Sequence, residues 1–150
     1  MIKTTKKNTL ATLSNRKKCL GNAENTVLSE AMQYIETALD ILKQNGKLHN
    51  NVYTDKKYVR MAGHTAYIGV LYALDNANLF TNTKKNQRRN VEDYEAALAK
   101  QNKKMLDYFV SCYQQLQLVA GNDGVGHKNY LRIAIADAQQ IIKWAAKRVN

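Results

Sequence analysis

Lys57, Arg60 and His64 recur at steps of three and four residues, the spacing that lines side chains along one face of a helix. A guanidinium and an ammonium beside an imidazole could clamp a phosphate. A titratable imidazole could also move a proton there. Tyr67 stands one turn further on and somewhat to the side. Asp75 lies about 16 Å further along a helix axis, too far to orient His64. The same residues also have a plain structural reading. Lys57 and Arg60 would be the solvent edge of a helix, and His64 a part-buried imidazole with a local hydrogen bond. Arg60 and His64 are therefore the catalytic candidates, and Lys57, Arg60, His64, Tyr67 and His127 the binding candidates.

The run GNDGVGHK, Gly121 to Lys128, spaces Gly121 and Gly126 as a phosphate loop would. His127 stands where the lysine belongs, no Ser or Thr follows Lys128, and the preceding segment reads as helix rather than strand, so the run is not a nucleoside-triphosphatase loop. Free amides at the start of the helix that follows His127 could still hold an anion weakly. No metal site is expected, because His49, His64 and His127 occur singly, without a carboxylate or second histidine at a ligand spacing. No cofactor is expected either. A nucleophile triad has no anchor, because Ser14 is in the tail, Ser29 at a helix start and Ser111 mid-helix. Cys112 lies among Tyr108, Phe109 and Leu116 and reads as an inert core thiol. The loop TNTKKNQRRN offers Lys84, Lys85, Arg88 and Arg89 as a nucleic-acid patch.

The element that positions the first group is the stretch from Tyr58 to Phe80. Wound as a helix, it gathers Val59, Ala62, Ala66, Gly69, Ala73 and Ala77 into a strip of small residues. Met61, Tyr67, Ile68, Val70, Leu71, Tyr72 and Leu74 cover most of the rest. A helix apolar on nearly every side must be walled in by others, and the small strip lets one neighbour come close. Thr54 is expected to cap it, with Asp55 in its first turn. A helix before it runs from about Thr26, capped by Asn25 or Thr26, to Asn45, with Gly46 in the left-handed stop position. Lys47 to Tyr53 is a short loop.

Asn90 caps the next helical stretch, whose first turns carry Glu92, Asp93 and Glu95. Continuous helix from there to Val119 would be roughly 43 Å long, so a break is expected in Ala99 to Lys104, leaving Val91 to Leu98 as a separate short helix. The last helix runs from near His127 to about Arg148 with Leu131, Ala134, Ile135, Ala138, Ile141, Ile142 and Ala145 as its apolar face. The expected fold is all-α, an up-and-down bundle of four main helices with a fifth short one, forming a single domain over residues 25–150.

Composition agrees with that class. The chain has 150 residues, no proline and 7 glycines, which suits long helices. No apolar run is long enough to cross a bilayer. No signal-peptide core follows the basic start, and the two cysteines, Cys19 and Cys112, do not form a framework. A reducing, cytoplasmic setting fits. The net charge is +11, and residues 1–24 carry Lys3, Lys6, Lys7, Arg16, Lys17 and Lys18 against Glu24 alone. That segment is expected to be a flexible, solvated basic tail. No aromatic residue interleaves with its cations, as a single-strand binder would want.

The segment YVRMAGHTAYIGVLYALD, Tyr58 to Asp75, resembles the signature of the domain-of-unknown-function family 5618, a family of small bacterial proteins. YIETALDIL (Tyr34 to Leu42), NKKMLDYF (Asn102 to Phe109) and GNDG (Gly121 to Gly124) match its style, and the resemblance spans residues from about 30 to 148. It implies a helical fold and no known activity. At lower resolution the layout is similar to HEPN domains, helical bundles found in nucleotidyltransferase partners and toxin ribonucleases. The ribonucleases among them use an arginine and a histidine further apart than Arg60 and His64, which have three residues between them, and Arg132 has no histidine after it. The motif as normally written is absent.

These observations lead to a non-enzymatic helical module, expected as a homodimer, that binds a protein or nucleic-acid partner and no membrane. The homodimer rests on more apolar and aromatic side chains than one small bundle needs. The alternatives are a HEPN-type protein using Arg60 and His64 on RNA, and a basic RNA- or DNA-binding protein.

Overall fold

The computed structural model describes residues 5–80 and 88–149, with the backbone alone described for residues 5–20. It is a helical protein with a miniature sheet. The elements are α1 (Thr5–Asn45), β1 (Leu48–His49), β2 (Val52–Tyr53), α2 (Lys56–Asp75), α3 (Val91–Gln101), α4 (Lys103–Cys112), β3 (Gly126–His127) and α5 (Lys128–Ala146). Between α4 and β3 the chain winds on as a π-helical segment, Tyr113–Asn122.

α2 is the centre. It packs against α1, the π segment and α5. Every residue of the small strip is buried, Val59, Ala62, Ala66, Gly69 and Ala73 within α2 and Ala77 just past its end, which falls at Asp75 and not near Phe80. The close neighbour that Gly69 admits is α1, since a Cβ at that position would stand 2.8 Å from Cβ of Tyr34 and 3.0 Å from the carbonyl oxygen of Ala31. Burial of α2 is incomplete on one side, however. Met61 and Ile68 are 46% and 48% exposed, and Tyr34 on α1 is 37% exposed.

Beside that side, Tyr72 on α2 donates a hydrogen bond to the Glu30 carboxylate on α1, and its ring lies 6.2 Å from that of Tyr34. The bond to Glu30, followed by burial, pushes the Tyr72 phenol up to about 12. A raised phenol favours the folded state only while it keeps its proton. Its contribution is full below about pH 10 and is lost as pH climbs through about 12. Tyr72→Phe should therefore flatten the alkaline decline in unfolding free energy over that window, as read by urea titration at successive pH values.

The break in the third helical stretch falls at Asn102, whose backbone is extended at φ −164° and ψ 106°. Its side chain accepts hydrogen bonds from the amides of Lys104 and Met105 and so starts α4. Asn90 and Asp93 form a reciprocal capping box at the head of α3.

Several expected boundaries move. Helix α1 begins at Thr5, so the backbone of residues 5–24 is helical and not a tail. Nothing in that stretch stops a helix: proline is absent. The Thr26 hydroxyl, expected as a cap, bonds back to the Asn22 carbonyl inside the helix. Asp55, not Thr54, is the cap residue of α2, without a side-chain bond to the helix; the Thr54 hydroxyl donates to the Lys47 carbonyl instead. The left-handed conformation after α1 belongs to Lys47 (φ 53°) and not to Gly46. Gly46 serves close packing, since a Cβ there would meet the Leu42 carbonyl oxygen at 2.5 Å and the Tyr53 ring at 2.6 Å. The loop from Lys47 to Tyr53 is a hairpin: β1 pairs with β2 around Asn50 and Asn51, both at positive φ, and β3 pairs antiparallel on the far side of β2.

Candidate functional site

The segment from Gly121 to His127 runs down the first turns of α2 and meets two of the three predicted line residues. A Cβ on Gly121 would stand 2.7 Å from Cε1 of His64, and one on Gly124 would stand 3.2 Å from Nε of Arg60 and 3.0 Å from Cβ of Lys56. Gly124 also needs its lack of a side chain for its φ of +69°. These glycines serve close approach to α2. The amides of Asp123, Gly124 and Val125 bond to the carbonyls of Leu118, Ala120 and Val119, and the Lys128 amide bonds to the Asn51 carbonyl. These four amides are engaged within the fold and are not free for an anion.

His64 is half-buried, and its Nδ1 lies 2.8 Å from Oε1 of Gln117 on the π segment. The bond is not local: the partner comes from the opposite wall. With the amide oxygen accepting, Nδ1 carries the proton and Nε2 is left as the acceptor. Among the described residues Nε2 has no hydrogen bond. A neutral amide fixes the ring without the charge that a carboxylate would lend to an imidazolium. Arg60 is exposed at the rim beside Gly124, and it and His64 share this seam. Lys57 is exposed, with its ammonium 5.6 Å from the centre of the Tyr58 ring. It does not face the glycine segment. Lys56, which sequence reasoning passed over, does.

The other predicted residues are scattered. Tyr67 is turned into the core, where its ring lies 6.3 Å from Phe109 and 5.9 Å from Tyr113, and burial pushes its phenol well above the usual tyrosine range. His127 caps α5 without a side-chain bond and stacks on Tyr130 at 4.7 Å. Lys84 and Lys85 lie outside the described residues. Arg88 is exposed. Arg89 pairs with Asp75 at 2.9 Å and lies over the Phe80 ring at 4.0 Å. Cys112 is a buried free thiol that burial pushes up, and its Sγ lies 3.5 Å from the Ala134 carbonyl oxygen. Among the described residues no group of three His, Cys, Asp or Glu side chains could hold a metal ion, and no helix is long and apolar enough to cross a membrane.

One cluster escaped sequence reasoning. Asp75, at the end of α2, accepts hydrogen bonds from the Tyr94 hydroxyl at 2.7 Å and from Arg89 at 2.9 Å. Phe80 packs edge-on against Tyr94 at 5.5 Å. Its members are 14 and 19 residues apart in the chain, so no helical spacing announces it.

Residues 26–147 match the model of a family described as domain of unknown function (DUF5618). Comparison with curated proteins finds no match. A solved structure of a protein of unknown function from Dyadobacter fermentans is similar, with 42% identity and a TM-score of 0.78 over 85% of this chain and 99% of that one. The match covers the bundle and leaves the first half of α1, Thr5 to Asn25, outside the family model.

Proposed function

The chain belongs to the DUF5618 family, and from that premise we propose that it is a non-enzymatic helical interaction module that pairs with a second copy of itself. One observation carries this reading: the open side of α2 carries an apolar stripe. Lys57, Met61, Thr65, Ile68 and Tyr72 follow one another at steps of four and three, with Met61 and Ile68 about half exposed and Tyr34 of α1 beside them. That spacing is the seam along which helices interlock.

The stripe also complements itself. It begins with the Lys57 cation and ends at Tyr72, which holds the Glu30 carboxylate. An antiparallel two-fold pairing centred near Thr65 and Ile68 sets Tyr72 against Met61 of the other copy. It also brings Lys57 within a turn of the other copy's Glu30. Such isologous contacts are the commonest form of association.

Sedimentation at micromolar concentration tests the reading. A dimer is expected. Ile68→Asp, which places a charge on an already exposed position, should weaken it at least tenfold, in line with the loss of a central contact, while leaving helicity unchanged. A monomeric wild type overturns the reading. It also sets the protein in a reducing, cytoplasmic compartment, which the free Cys112 thiol suits.

A second reading draws support from Arg60 and His64 sharing the glycine seam with Nε2 of His64 unbonded. It is a HEPN-type protein acting on RNA, with Arg60 as phosphate clamp and His64 as acid or base. Cleavage of RNA by the wild type, abolished in a folded His64→Ala variant, would favour it over the module. The basic reading rests on Arg88 and the net charge of +11, and predicts nucleic-acid binding that weakens steeply with salt.

A further inference from the structure

A groove of about 350 Å³ runs between the C-terminal half of α1 and the first half of α5. It lies away from the α2 stripe and from the His64 seam, and shares no residue with either. Leu42, Leu131 and Ile135 are buried along it, and Leu39, 43% exposed, stands at its lip. Lys128 and Arg132, one turn apart on α5, line it as well, and no acidic residue does. Among the described residues neither cation is in an ion pair. The groove is thus apolar along its floor, carries two uncompensated positive charges toward one end, and finishes at Ala136 and Gln139.

Its dimensions decide what can lie in it. From Lys128 to Gln139 the helix advances roughly 16 Å at 1.5 Å per residue. Spread over that length, the volume gives a cross-section of roughly 22 Å². A partner helix, about 10 Å across with its side chains, has a cross-section several times that area. A single extended hydrocarbon chain does not. The volume also lies at the lower end of the range of small-molecule sites.

We propose that the α1–α5 groove binds a free single-chain fatty acid, its tail along Leu42, Leu131, Ile135 and Leu39 and its carboxylate against Lys128 and Arg132. The tail would bury apolar surface that is now open to water. The head would meet two cations at the solvent edge, where charge-assisted hydrogen bonds add to the attraction.

Laurate, kept below its micelle concentration, is the probe, with binding followed by calorimetry and by the methyl NMR signals of Leu39, Leu42, Leu131 and Ile135. Saturable one-to-one binding is expected. Each methylene removed from the chain should weaken it about fourfold. Lys128→Ala and Arg132→Ala should each weaken it about fivefold, the scale of a solvent-edge ion pair. Ala136→Trp, which fills the far end from an exposed position, should weaken it at least tenfold. If that variant fails to fold, the Lys128→Ala/Arg132→Ala double variant, altered at two exposed positions, decides the matter by the same readout. The proposal is overturned if laurate leaves those methyl signals in place, or if the neutral alcohol of the same chain binds as tightly. It is also overturned if Ala136→Trp or the double variant binds like wild type. Two further results would show a different occupant and overturn it too: a dimer that dissociates on Ala136→Trp, or pelleting with anionic phospholipid vesicles without binding of free laurate.

Discussion

Gly63→Ala will destabilise the fold by about 3 kcal/mol and lower its melting temperature by roughly 10 °C. A Cβ at this position would stand 2.5 Å from the Leu116 carbonyl oxygen, 2.7 Å from the Gly121 amide nitrogen and 2.9 Å from the Ala120 methyl. Two of the three are backbone atoms of the π segment, so no side-chain rotation relieves the clash. Helix α2 and the π segment must separate, and the His64–Gln117 bond opens with them. Alanine's better helix preference returns only about 1 kcal/mol. Gly21→Ala is the control: nothing lies within 4 Å of its added methyl, so the helix preference alone should act and the variant should gain up to about 1 kcal/mol. Urea denaturation of both decides the point. Equal losses at the two positions, or none at Gly63, would mean the close approach is not what holds α2 in place.

Asp75→Ala should cost about 1–2 kcal/mol, because one carboxylate oxygen serves two donors, of which the Tyr94 hydroxyl is shielded from water and the Arg89 pair lies at the surface. Tyr94 is only 5% exposed, and the Nε of Arg89 is already buried without a hydrogen-bond partner among the described residues. Without the carboxylate, the Tyr94 hydroxyl loses its acceptor and the Arg89 guanidinium its counter-charge. Asp75→Asn keeps an acceptor for Tyr94 and should cost about half as much. The pH dependence has a definite sign. Burial, then the bond to Asp75, raises the Tyr94 phenol above its usual range. Stability from this group is full below about pH 10 and falls as the pH rises beyond it. In Asp75→Ala that alkaline loss should shrink, because a cause of the shift is gone. A variant as stable as wild type, with an unchanged alkaline limb, would sink the account.

What could be read from the residues alone is what local chemistry writes locally. The small strip of α2 announced a buried rod, because a helix apolar on nearly every face must be walled in by others. The polar run before Met105 announced a break, and Asn90 with Asp93 announced a start. What could not be read depends on distant parts of the chain meeting. His64 takes its partner 53 residues away, and the Asp75 cluster joins the end of α2 to Tyr94 of α3, 19 residues on. The helical backbone before Thr26 was hidden for the opposite reason: Leu10, Leu13 and Leu20 make no face, so it carries no packing signature. The hairpin did leave a trace. Two adjacent asparagines between Leu48–His49 and Val52–Tyr53 are the residues that a tight primed turn asks for, but strands of two residues are too short for alternation to show.

The winding between Tyr113 and Asn122 has a consequence for how this sequence can change. Each residue of an α-helix turns the chain by about 100°, and a π stretch holds more residues per revolution than an α stretch. It works as an angular spacer. Losing one position inside it would rotate everything downstream by roughly a quarter turn relative to α4. Gln117 and Gly121 could then no longer both face α2. Length in this stretch should therefore be fixed more strictly than residue identity.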